Sequence, residues 1–147
     1  MSGADEDYLL AMKEKLAEAG LAEEVSWHVN VSREEKISFL KRLRLFSVPA
    51  IYAEGFGLYL IEAMACGVPV VMPRASSFPE IIDPCGCGLL VKPEDPQALA
   101  AAWAELLADE ERCEALGKKG RRAVEDRYHV GVMSQSYEEF FRKVVSE

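Results

Sequence analysis

The sequence predicts an α/β chain, a parallel sheet of about four strands with flanking helices, on three observations. Apolar runs suited to strands, at 25–29, 46–50, 68–72 and 89–91, alternate with segments of helical period. The run 68–72 is apolar at nearly every position, as expected of a parallel strand covered on both faces. Residues 48–73 read as strand, Gly-rich turn, helix and strand in succession, which is one parallel crossover unit. Together these features predict a doubly wound, Rossmann-like arrangement.

Each element has a local cause. Over 5–19, Leu9, Leu10, Met12, Leu16 and Ala17 recur near helical spacing with charge opposite them, and Gly20 stops the helix. Val25, Trp27 and Val29 alternate with Ser26 and His28 as a short strand. His28 stands near its carboxyl end, where ligands of open α/β sheets gather, so a base or sugar contact and an ordinary exposed histidine are both open for it. Ser32 and Glu35 form a capping box for a helix that carries Ile37, Phe39, Leu40 and Leu43 on to about residue 45. Its basic cluster, Lys41, Arg42 and Arg44, suits a helix C-terminus.

The next helix, about 57–66, is apolar on every face except at Glu62, a pattern that predicts burial. After strand 68–72 comes a loop at a strand carboxyl end, in which Arg74 either meets phosphate or sugar or forms a structural salt bridge. Glu80 opens a short helix, and Gly86 and Gly88 lead into the strand 89–91. Asp95 as N-cap and Pro96 at the first helical position start a helix to about residue 108, with Leu99, Trp103, Leu106 and Leu107 as its core stripe. Helices over about 110–126 and 132–145 complete the chain. Trp103, Phe140, Phe141 and Val144 are expected in the core.

At 147 residues the length suits one domain, and with half of its residues hydrophobic a packed core is expected. The net charge of −8 argues against nucleic acid or an anionic membrane surface as partner. A nucleotide diphosphate stays open, because backbone amides can hold it locally while distant charges are screened. The four cysteines show no metal-ligand spacing, Cys85-Gly86-Cys87 being too tight for zinc, so no metal or other cofactor is expected and free thiols are. The absence of a signal peptide or an apolar run of about 20 residues predicts a soluble, cytoplasmic protein.

The central unit holds the candidate site. Gly55 and Gly57 bracket a sharp turn at a helix N-terminus, whose free N–H groups and dipole attract phosphate. Side chains lean toward a helix N-terminus, so Glu62 points back toward the same place. No Lys or Arg lies three or four positions from it, so its partner must come from elsewhere. A carboxylate beside a bound phosphate suits a vicinal diol, and a ribose next to a phosphate is that arrangement. Glu54, at the mouth of the turn, could accept from another hydroxyl-rich group. A glutamate bonded internally to a backbone N–H is the plain alternative.

The uninterrupted run of Glu54, Gly55, Phe56, Gly57, Leu58, Tyr59, Leu60, Ile61 and Glu62, continued through Gly67 to Val71, resembles the E-x7-E segment of family-4 retaining glycosyltransferases of two-domain GT-B architecture. The resemblance extends through Pro79 to Ile82, Gly88 to Val91, Asp95-Pro96 and the Gly117/Gly120 stretch, and so covers most of the chain. It implies the C-terminal, nucleotide-sugar-binding domain, with Glu62 on the ribose hydroxyls, backbone 57–59 on the diphosphate and Glu54 facing the donor sugar as the catalytic-site carboxylate. Gly55, Phe56, Gly57, Leu58, Tyr59, Glu62, His28 and Arg74 are thus the donor-binding candidates. Ser76 and Ser77 stand where that family often has two glycines, with Arg74 before them.

Against that family, residues 1–147 are expected to form part of the C-terminal domain, without its first two strands, without the Arg/Lys pair that neutralises the diphosphate, and without the N-terminal acceptor domain. In the strand order 3-2-1-4-5-6 this leaves a gap between 25–29 and 46–50. Either those segments pair directly, or the missing domain, another chain or a second copy in a homo-oligomer fills it, since bare apolar edges aggregate. The implied function is sugar transfer from a nucleoside-diphosphate sugar to an acceptor hydroxyl of unknown identity, with retention and with negligible activity from this chain alone. A non-catalytic nucleotide-sugar-binding module or an interaction module is the alternative.

Overall fold

In the computed structural model, which describes residues 3–52 and 54–146, the chain divides after Ser32 into two units. The first contains helix α1 (Gly3–Glu18) and a single 3-10 turn at Ala22–Glu24. Gly20, at φ +69°, ends the helix as expected. Within this unit the Lys13 ammonium lies 5.6 Å from the centre of the Trp27 ring. The strand expected over 25–29 is not formed. Its alternating pattern suits extended backbone, but a strand also requires a neighbour's ladder, and no described strand pairs with it.

The second unit contains α2 (Arg33–Leu40), β1 (Phe46–Ser47), α3 (Leu58–Ala65), β2 (Val70–Pro73), α4 (Phe78–Ile82), β3 (Gly88–Val91), α5 (Pro96–Leu107), α6 (Glu110–Arg127) and α7 (Val130–Ser146). Helix α2 stops short of the expected residue 45. The N–H groups of Arg42 and Leu43 bond three residues back, to Phe39 and Leu40, and this tightening releases the chain toward β1. The sheet has three described strands rather than four, all parallel in the order β1-β2-β3. Phe46 stands opposite Val70, and Val70 to Pro73 run opposite Gly88 to Val91.

The central strand β2 explains the continuous apolar run. Val70 and Met72 face one cluster with Leu60, Ala63 and Met64 of α3 and Phe78 of α4, whereas Val71 faces another with Ala102 and Leu106 of α5. Successive side chains of a strand point to opposite faces, so both faces must be apolar. All three residues are fully buried, each worth about 1.5–3 kcal/mol of transfer free energy. Helix α6 spans both layers, placing Cys113 and Leu116 in one cluster and Ala123 in the other. Its approach to α3 depends on Gly117, where a β-carbon would lie 2.1 Å from the Gly67 carbonyl oxygen.

The caps fall where the sequence predicts the one at Asp95, whose Oδ1 accepts from the Ala98 N–H at 2.9 Å. Asp109 does the same for the Arg112 N–H. Five core expectations fail. Trp103 and Leu107 of α5 are 37% and 41% exposed, and no residue of α7 is buried, with Phe140 and Phe141 both 59% and Val144 55% exposed. The apolar stripes exist, but no described element covers these parts of them. The free-thiol expectation also fails for one pair: Gly86, at φ +55°, folds the chain so that Cys85 and Cys87 are disulfide-bonded with Cα atoms 5.2 Å apart. Cys66 and Cys113 are free.

Candidate functional site

The site is built where the chain leaves the carboxyl end of β1 and turns into α3. Gly57 is the N-cap at φ +79°, in the left-handed region, and a β-carbon there would come within 3.2 Å of Phe78 and 3.5 Å of the Glu54 side chain. Only glycine suits both the conformation and the space. With no side chain capping the helix, the first-turn N–H groups of α3 open toward the loop. The Leu60 N–H turns back onto the Gly57 carbonyl at 2.9 Å, which tightens the entry.

Glu54 is held beside this turn from several directions. Its Oε2 accepts from the Tyr59 hydroxyl at 3.0 Å, and its Oε1 lies 3.5 Å from the Phe56 N–H. Its backbone N–H donates to Ser76 Oγ at 3.0 Å. Burial, followed by the hydrogen bond to Glu54 and its charge, pushes the Tyr59 phenol up to about 12. Phe56 meets Tyr128 at the end of α6 edge-on, with ring centroids 5.9 Å apart. Glu54, Phe56, Gly57 and Tyr59 therefore stand together at the turn into α3.

Glu62 lies roughly one turn and a half into α3. It is not buried: its side chain is 43% exposed, because α3 faces the core through Leu60, Ala63 and Met64 and leaves its other flank open. The partner expected from elsewhere is Lys36 of α2, with Nζ 2.5 Å from Oε1. The pair lines a cavity of about 640 Å³ between α2, α3 and α6, to which Arg33, Lys41 and Arg121 bring further positive charge. Lys36 is absent from the sequence-based candidates. A signal for it exists, since Arg33, Lys36, Ile37 and Leu40 share one face of α2 and the last two belong to its apolar stripe.

Arg74 makes a bidentate pair with Asp83, at 2.8 and 3.2 Å, both side chains about half exposed. The Asp83 hydrogen bond and charge raise the already high Arg74 pKa. Of the two options for Arg74, the salt bridge is the one formed. Gly55 and Leu58 are exposed at the turn, and His28 is exposed on the extended stretch of the first unit. Among the described residues no cluster of three or more His, Cys, Asp or Glu could hold a metal ion. No helix among them is long and apolar enough to cross a membrane.

Residues 1–123 match the family model for glycosyl transferases group 1. The chain belongs to that family. It is 38% identical over 108 residues to the MMP alpha-(1->4)-mannosyltransferase of Mycolicibacterium hassiacum, covering 73% of this chain and 26% of that protein. It is 32% identical over 120 residues to the GDP-mannose-dependent alpha-(1-6)-phosphatidylinositol monomannoside mannosyltransferase of Mycolicibacterium smegmatis, covering 78% and 31%. Among solved structures, sucrose-phosphate synthase from Thermosynechococcus elongatus superposes with a TM-score of 0.82 at 30% identity, over 92% of this chain and 34% of that one. The group 1 chain thus spans about a quarter to a third of the length of these relatives. The likeness establishes the α/β, Rossmann-like fold with its parallel sheet and flanking helices.

Proposed function

We propose that this chain supplies the donor-binding part of the C-terminal domain of a GT-B glycosyltransferase, one that moves a sugar from a nucleoside diphosphate to an acceptor hydroxyl with retention. The observation that carries this reading is the uncapped N-terminus of α3, flanked by Glu54 at its mouth and by the Glu62–Lys36 pair at a cavity of about 640 Å³. In this reading the N–H groups of Gly57, Leu58 and Tyr59 receive the diphosphate, and those oriented amides stabilise the charge that develops on it as the sugar–oxygen bond breaks. Glu62 takes the ribose hydroxyls: Lys36 occupies one side of Oε1 and leaves Oε2 to accept. Glu54, fixed by the Tyr59 hydroxyl, faces the sugar and accepts from its hydroxyls.

The test is calorimetric titration with UDP, GDP and ADP of the wild-type chain and of Glu62→Ala. One nucleotide should bind selectively and lose about tenfold in affinity on substitution, which is about 1.4 kcal/mol. Failure of all three to bind would sink the donor-site reading. A second reading, a non-catalytic interaction module, draws on the same Lys36 contact, since a Glu62 satisfied within the chain needs no ligand. An unchanged affinity in Glu62→Ala, or no binding at all, would favour it.

A further inference from the structure

We infer that Ser76 is a positioning residue for Glu54, its hydroxyl clamping the Glu54 backbone so that the carboxylate is presented to the donor sugar. The inference rests on the reading of Glu54 given under Proposed function. Ser76 has φ +55°, a left-handed conformation that costs free energy in any residue with a β-carbon. A glycine would sit there without strain. What serine adds is its Oγ, which accepts the Glu54 N–H at 3.0 Å and lies 3.5 Å from the Tyr52 carbonyl, to which it can donate. The next residue repeats the device, with the Ser77 hydroxyl donating to the Phe56 carbonyl at 3.1 Å. Two consecutive hydroxyls thus hold the chain on either side of the Glu54 carboxylate, while Tyr59 holds its tip.

The clamp itself is anchored. The Arg74 N–H extends the β2–β3 ladder to the Val91 carbonyl at 2.7 Å, and the Phe78 side chain that follows the serines is fully buried. A hydroxyl on this loop therefore transmits a fixed position across 22 residues of sequence to Glu54. Position 76 is where the geometry of the sugar-facing carboxylate would be set.

Two measurements on Ser76→Ala, Ser76→Gly and Ser76→Thr test this. Amide hydrogen exchange reads the clamp without any ligand: Glu54 N–H exchange should accelerate about tenfold in the Ala and Gly variants and stay slow in Thr. Affinities for UDP against UDP-glucose, and for GDP against GDP-mannose, read the function. In the Ala and Gly variants the sugar nucleotide should lose about fivefold, as expected for one neutral hydrogen bond, and the bare diphosphate less than about twofold. Unchanged Glu54 exchange in Ser76→Ala would overturn the clamp. Equal losses of diphosphate and sugar nucleotide would overturn the positioning role and leave Ser76 a structural residue. A wild-type chain that binds no sugar nucleotide would overturn the role toward sugar together with the donor reading, and the exchange data would still decide the clamp separately.

Discussion

Helices α3 and α7 are both rich in apolar residues, and they meet opposite fates. Helix α3 sinks Leu60, Ala63 and Met64 completely between the sheet and α6, whereas α7 carries Tyr137, Phe140, Phe141 and Val144 on its surface and buries nothing. The sequence asks for burial of both, α3 being apolar on every face except at Glu62 and α7 carrying an apolar stripe. The difference lies in what stands opposite: α3 is packed against the central strand β2 on one side and against α6, with Gly120 beside Met64, on the other, while none of the described elements covers the stripe of α7. An apolar face states a demand for burial, and only the neighbours decide whether it is met.

Breaking each helix in turn should expose that asymmetry. Leu60→Ala, in a fully buried position, should destabilise by about 2–5 kcal/mol in urea denaturation. Gly117→Ala tests the crossing that lets α6 seal α3. With a β-carbon 2.1 Å from the Gly67 carbonyl the helix must shift, and a loss of about 1–3 kcal/mol is expected in the same assay. At the far end of the scale, Phe140→Ala should change stability by less than about 0.5 kcal/mol. A large loss there would show that α7 buries its stripe after all.

The turn before α3 sharpens the same comparison through pH. The folded-state pKa of Tyr59 stands at about 12, above the ordinary 10.0, so its stabilising contribution is fully present below pH 10 and is lost as pH rises toward 12. Glu54→Gln removes the charge but keeps an acceptor for the hydroxyl, so the phenol should titrate lower than in the wild type, though still above 10 because burial is the leading cause. Ultraviolet titration, with Tyr59→Phe as the assignment control, reads it.

Much of the site is legible in the chain because its parts are local. Gly57 at the N-cap, the run of α3 and the approach of Glu54 to Tyr59 lie within a span of a few residues, where helix geometry dictates who meets whom. Asp95, Pro96 and the two-faced β2 are local in the same sense. Lys36 is not legible because it meets Glu62 across 26 positions, and Ser76 reads only as a departure from a glycine pattern because the backbone N–H that its hydroxyl accepts lies 22 positions away, at Glu54.

By itself, then, the sequence determined the alternation of elements, the strand buried on both faces, the uncapped turn into α3 and the need of Glu62 for a distant partner. These follow from periodicity and backbone sterics over spans of a few residues. The tertiary structure alone decided that Lys36 is that partner, that Arg74 pairs with Asp83, that Ser76 and Ser77 hydrogen-bond to the backbone of Glu54 and Phe56, that 25–29 joins no ladder and that α7 keeps its stripe exposed. Each of these depends on which distant surfaces the parallel sheet brings together, and the energy of a long-range contact is written in no window of the chain that contains only one of its partners.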